Sequence, residues 1–143
     1  VDADPLASLT TPAEGTLHAR LGIRILDASP DRVVATMPVE GNRQPYGLLH
    51  GGATLALAET LGSIGAALHA GPGGSALGIE LNGSHHRGAA DGIVTGVATC
   101  LHRGRTLASY EIVVSDEQDR RLCTARLTCA IRPMREAPGT AGA

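Results

Sequence analysis
Residues 51–74 read Gly-Gly-Ala-Thr-Leu-Ala-Leu-Ala-Glu-Thr-Leu-Gly-Ser-Ile-Gly-Ala-Ala-Leu-His-Ala-Gly-Pro-Gly-Gly. Ala and Leu are strong helix formers. They fill this run until Gly71-Pro72-Gly73-Gly74 breaks it, so one long helix is predicted from Gly51 to about Ala70. Apolar residues lie on nearly every side of that helix, which predicts burial on nearly every side. Upstream, Glu40–Leu49 is a loop with Gly, Asn and Pro. Two strands precede it, near Ile23–Ala28 and Arg32–Val39, turning at Ser29-Pro30-Asp31. Thr11-Pro12-Ala13-Glu14 carries the cap, proline and acidic residue of a helix start, and a short helix is expected from there to about Arg20. Downstream, strands near Ser75–His86, Gly92–His102, Arg105–Ser115 and Arg121–Arg132 are separated by turns at Ala89–Asp91, Arg103-Gly104 and Asp116–Asp119. Such short turns predict an antiparallel meander. Residues 1–10 are expected to form a flexible N-terminal arm, 11–132 the folded domain and 133–143 a flexible C-terminal tail. The fold class is α+β, a six-stranded antiparallel sheet around one long central helix. One helix cannot cover six strands, so a homodimer is expected.

The whole chain has 143 residues, a net charge of −2, no Trp, no Phe and two Tyr, Tyr46 and Tyr110. Neither an electrostatic footprint nor a stacking platform for nucleic acid is present in that composition. All twelve basic residues are Arg, which excludes lysine Schiff-base chemistry. Cys100, Cys123 and Cys129 are an odd set without C-x-x-C spacing and read as buried, reduced strand residues of a cytoplasmic protein. No apolar run reaches the length of a membrane span, and the N-terminus, with Asp2 and Asp4, does not read as a signal peptide. The six histidines show no H-E-x-x-H pattern, so no metal site is expected.

Within the long helix stands one charged residue, Glu59, flanked by Leu55, Leu57, Ala58, Leu61 and Gly62. No Arg lies in the helix to pair with it, and burying an ionised carboxylate alone costs several kcal/mol, roughly. A lone carboxylate in an apolar setting is a candidate general base or nucleophile. The alternative is a Glu59 facing solvent or an Arg from a strand. Ser63, four residues on, shares its face. His50-Gly51-Gly52 opens the helix with two bare backbone amides, suited to a developing negative charge; the alternative is a plain turn. Gln44 adds an amide donor from the loop, and His50 is a candidate orienting donor or a packed loop histidine. Gly51 and Glu59 are eight residues apart, about 12 Å along a helix axis. An oxyanion site and its base must converge on one reacting atom within about 3–3.5 Å. Two antiparallel helices of a dimer satisfy this, with the N-terminus of one facing Glu59 of the other.

Gln44-Pro45-Tyr46-Gly47-Leu48-Leu49-His50-Gly51-Gly52, followed by Leu57-Ala58-Glu59 and Gly62-Ser63, closely resembles the hotdog-fold acyl-CoA thioesterases. The stretches Gly78–Asn82, His85-His86-Arg87 and Leu101–Arg105 resemble the same family, over roughly Leu17–Arg132. The nearest branch by resemblance holds the 1,4-dihydroxy-2-naphthoyl-CoA and 4-hydroxybenzoyl-CoA thioesterases. The phenylacetate branch typically carries Asp where this chain has Glu59.

The resemblance implies that Glu59 drives thioester hydrolysis as nucleophile or base. The Gly51 N–H would polarise the thioester carbonyl with help from Gln44, His50 would support the loop, and Ser63 would position water or the carboxylate. It further implies that Gly52, Asn82, His85, Arg87, Gly88, His102, Arg103, Gly104, Arg105 and Thr106 hold the acyl-CoA. His86 and Gly88 depart from the family's usual residues. The substrate implied is an aromatic acyl-CoA, with no cofactor beyond the CoA that is part of it, and the assembly implied is a homodimer that pairs into a homotetramer. Menaquinone biosynthesis, aromatic degradation and clearing of mischarged carrier proteins all stay open as settings. A hotdog acyl-CoA dehydratase or hydratase and a non-catalytic acyl-CoA-binding protein are the competing readings.

Overall fold
A computed structural model describes residues 5–133 of the chain. In chain order it holds α1 (Pro5–Thr10), α2 (Leu17–Arg20), β1 (Arg24–Ala28), β2 (Arg32–Pro38), α3 (Gly51–Ala70), β3 (Gly74–His85), β4 (Ile93–Arg103), β5 (Leu107–Ser115) and β6 (Arg121–Pro133). The strands form one six-stranded sheet in the order β1-β2-β4-β5-β6-β3, every neighbouring pair antiparallel. The helix α3 packs across it, so the α+β hotdog architecture expected from the sequence is the one observed.

α3 begins and ends where its sequence predicts. His50 caps it from an extended conformation, its Nδ1 accepting the Gly52 N–H at 2.8 Å. Gly71 closes it at φ +72°, a conformation only glycine adopts without cost.

The predicted meander holds for β4, β5 and β6 but not for β3. That strand lies outside β6, at the sheet edge, so residues 86–92 form a crossover rather than a hairpin turn. Burial explains the choice. β4 alternates inward with Val94, Gly96 and Ala98, all buried. β3 carries Glu80, Asn82 and Ser84 and is exposed along most of its length. The apolar strand takes a central place beneath α3 and the polar one takes the edge.

At the N-terminus, Pro5–Thr10 forms a helix where a loose arm was expected over 1–10; residues 1–4 and 134–143 of the expected arm and tail lie outside the described residues. Thr11–Glu14 does not start a helix. Gly15 turns the chain at φ +83°, and Thr16 is the cap, its Oγ1 accepting the Ala19 N–H at 3.2 Å. Pro133 belongs to β6 rather than to the tail.

The core combines Leu57, Ala58, Leu61 and Ile64 of α3 with Val33, Met37, Val94, Tyr110, Ile112 and Leu127 of the sheet. All three cysteines are free; Cys123 and Cys129 are buried as expected, whereas Cys100 is only half-buried, toward the end of β4 where the strand runs out from under α3. α3 is not enclosed on every side. In the single chain Gly52 is exposed, and Ala56, Glu59, Ser63 and Ala67 are half-buried, because one sheet reaches only one side of a helix. Among the described residues no helix is long and apolar enough to cross a membrane.

Candidate active site
The loop before α3 is held from within. The Asn42 side chain, buried, donates to Leu21 O and Pro38 O, each at 2.8 Å, while Asn42 O accepts the His50 N–H at 2.8 Å. Asn42 thereby fixes where the loop places Gln44 and His50. Its signal in the sequence is weak, an Asn beside the loop glycine Gly41. Gln44 Oε1 accepts the Tyr46 N–H, which leaves its NH2 as the free donor.

The first amides of α3 are not equivalent. The Gly52 N–H goes to His50 Nδ1, and those of Ala53 and Thr54 go to His50 O at 3.0 and 3.2 Å. The Gly51 N–H has no acceptor among the described residues. It therefore carries the unspent positive end of the helix dipole. Gly51 lines a cleft of about 410 Å³ together with Gln44, His85, His86, Arg87 and Gly88. A Cβ on Gly51 would stand 3.0 Å from His85 Nε2, so glycine is what lets that ring approach the helix end. His86 is anchored to β6 through its Nε2 and Thr124 Oγ1 at 3.0 Å. Arg87 is exposed and makes no ion pair among the described residues. The cleft thus gathers two amide donors, two imidazoles and an unpaired guanidinium.

Glu59 lies further along α3, about 12 Å from Gly51 by helix geometry. It makes no hydrogen bond or ion pair among the described residues. No Arg of a strand pairs with it among the described residues; its carboxylate lies against Gly78 of β3 and near the Cys129 thiol, which in turn is hydrogen-bonded with Ser63. Burial pushes the Cys129 thiol up, the neighbouring Glu59 carboxylate adds to that, and a hydrogen bond with Ser63 works against it. The balance favours the protonated thiol over the nucleophilic thiolate at Cys129.

Other predicted residues are not brought into the cleft. The turn His102–Thr106 sits at the C-terminal end of α3, where His69 Nε2 and Gly104 O are 2.8 Å apart. α3 has 20 residues, so about 30 Å separates this turn from the His85–Gly88 segment of the same chain. Arg103 is engaged with Asp31 at 3.0 Å, the His102 ring packs on Gly104, and Thr106 O accepts the Ile131 N–H, whereas Arg105 has no ion pair among the described residues. Asn82 is exposed on β3 and donates to Glu80 Oε1 at 2.9 Å. Gly52 lines a separate hollow with Leu21, Asn42 and Ala56, and its amide is spent on His50. No group of His, Cys, Asp and Glu among the described residues could hold a metal ion.

The profile of the thioesterase superfamily matches residues 46–123. A proofreading thioesterase of Cronobacter turicensis, EntH, is 47% identical over 127 residues, covering 88% of this chain and 93% of that protein. A thioesterase of Haemophilus influenzae superposes with a TM-score of 0.86 at 34% identity, over 95% of this chain and 96% of its own. A thioesterase of Pseudomonas aeruginosa, solved as a glutamine-to-alanine mutant, gives 0.85 at 37% identity, over 92% and 96%.

Proposed function
The chain belongs to the thioesterase superfamily and is a thioester hydrolase, and on that premise we propose that it hydrolyses an aromatic acyl-CoA at a site shared between two copies of itself. The substrates that fit this reading are 1,4-dihydroxy-2-naphthoyl-CoA, a step of menaquinone biosynthesis, and the hydroxybenzoyl-CoAs. The observation that carries it is the separation of two incomplete halves. The unpaired Gly51 N–H stands at one end of α3 and the unpaired Glu59 carboxylate about 12 Å away. Neither half can act on the carbonyl the other holds unless a second chain supplies its counterpart. The long exposed edge of β3, with Leu77 61% and Ile79 59% exposed, supports pairing with a second copy. Two such dimers would make the tetramer.

In the reaction the thioester carbonyl lies against Gly51 N–H and the Gln44 amide of one chain. Glu59 of the other either takes a proton from water or attacks directly, with Ser63 beside it. A C–O bond forms, negative charge develops on the carbonyl oxygen where the amides meet it, and the C–S bond breaks as the thiolate leaves. On the base route the thiolate takes up the proton Glu59 drew from water. On the direct route water then cleaves the acyl-Glu59 anhydride, which frees the acid, restores the carboxylate and supplies that proton. Arg87, unpaired beside the cleft, suits a CoA phosphate. No cofactor is required, and three free thiols support a cytoplasmic setting. The Cronobacter relative's name favours a second reading, in which the same chemistry proofreads by releasing wrongly loaded acyl groups.

The test is a thiol-release screen across aryl- and alkyl-CoAs. Aryl-CoAs are expected to give the highest kcat/KM. A preference for alkyl chains contradicts the aromatic assignment, and hydration of enoyl-CoA without thiol release contradicts the hydrolytic one.

A further inference from the structure
Gly78 has no conformational reason to be glycine. It lies within β3, paired to Cys129, and its φ is not in the left-handed region that glycine alone occupies easily. Glycine in a strand interior weakens it relative to Ala. What a Cβ there would meet is the Glu59 carboxylate, whose Oε1 already occupies that space. Next come Glu59 Cδ at 3.2 Å and Leu127 Cδ1 at 3.4 Å, an ordinary contact. The sheet is also irregular here. Gly78 faces Cys129 and Glu80 faces Thr128, so Ile79 is an extra residue in a bulge next to Gly78. Bulges re-aim backbone and side chains locally.

We propose that Gly78 is a positioning residue for the reaction: its missing side chain is the seat of the Glu59 carboxylate against β3. This inference rests on Glu59 being the reacting carboxylate. The clashing atom is the far end of a flexible side chain, so Ala at this position leaves the sheet intact and moves the carboxylate instead. The strand gains in stability while the chemistry loses its geometry, and misplacement of a catalytic group by about 1 Å costs about 10²-fold.

The experiment measures Gly78→Ala in kinetics, thermal melting and gel filtration, alone and with Glu59→Asp. The expected result is a kcat lowered about 10- to 100-fold with KM within about twofold, an unchanged or raised Tm and the wild-type assembly. Asp is one methylene shorter and withdraws from Gly78, so adding Gly78→Ala to Glu59→Asp should lower kcat by less than about twofold further. Wild-type kcat in Gly78→Ala overturns the proposal. So does a fall in Tm with loss of assembly, which makes the glycine structural. Glu59→Gln with full activity overturns the reading of Glu59 itself. Loss in Glu59→Gln beside full activity in Gly78→Ala removes only Gly78.

Discussion
On the side turned to the sheet, α3 presents Leu57, Leu61 and Gly65, all buried, and Gly65 approaches Tyr110 so closely that a Cβ would stand 2.7 Å from its ring. The one polar group in that contact is spoken for: the Tyr110 hydroxyl donates to Pro30 O at 2.6 Å, and burial pushes its pKa up so that it stays protonated. On the flank turned to the β6–β3 edge of the sheet α3 carries Glu59 and Ser63, half-buried, and the carboxylate has no hydrogen-bonded or ionic partner among the described residues. Both sides use a glycine to admit a neighbour. At Gly65 the neighbour is a core ring, and at Gly78 it is a carboxylate. The first arrangement is satisfied within one chain, and the second is left open for a partner and a substrate.

Breaking the open side should change chemistry and spare stability. Glu59→Gln keeps the shape and removes the charge. It is expected to lower kcat by about 10²- to 10⁴-fold in steady-state kinetics, with Tm unchanged or raised because a half-buried unpaired charge is gone. Breaking the closed side should do the reverse. Gly65→Ala overpacks the Tyr110 ring at a cost of about 1–3 kcal/mol, against about 1 kcal/mol regained from helix preference. Denaturant unfolding should show the net loss while kcat per folded molecule stays at the wild-type value. The N-terminal cleft provides the finer distinction between binding and turnover. Arg87→Ala should raise KM for an acyl-CoA about tenfold with kcat within about threefold, since it removes uniform binding; an unchanged KM takes Arg87 out of the nucleotide site.

How much of this was legible in sequence follows the same division. α3 could be read to its ends because His50, the Ala/Leu run and Gly71 all act locally. Glu59 was legible as an anomaly, a charge in an apolar helix. The place of β3 was not, since a seven-residue link reads like a turn and only the competition between polar β3 and apolar β4 for the sheet centre decides it. Thr11-Pro12-Ala13-Glu14 read as a helix start, but Gly15 at positive φ moved the cap to Thr16. The resemblance groups the His102–Thr106 turn with His85 and Arg87, whereas the length of α3 holds them apart within one chain. Gly78 gave a weak signal, a glycine mid-strand with no turn beside it.

The shared site is tested most directly by mixing two crippled chains. Gly51→Pro deletes the unpaired N–H at a first helical position that accepts proline, and its Cβ also shifts the His85 ring, which belongs to the same half of the site; His50, extended at φ −67° and ψ 127°, suits the residue before a proline. Glu59→Gln deletes the carboxylate. Each variant alone is expected to be nearly inactive. Refolded together, random pairing gives hybrids with one wild-type site each, and activity should return to about one quarter of the wild-type value. A mixture as inactive as its two components would mean that Gly51 and Glu59 act within the same chain, and would contradict the account.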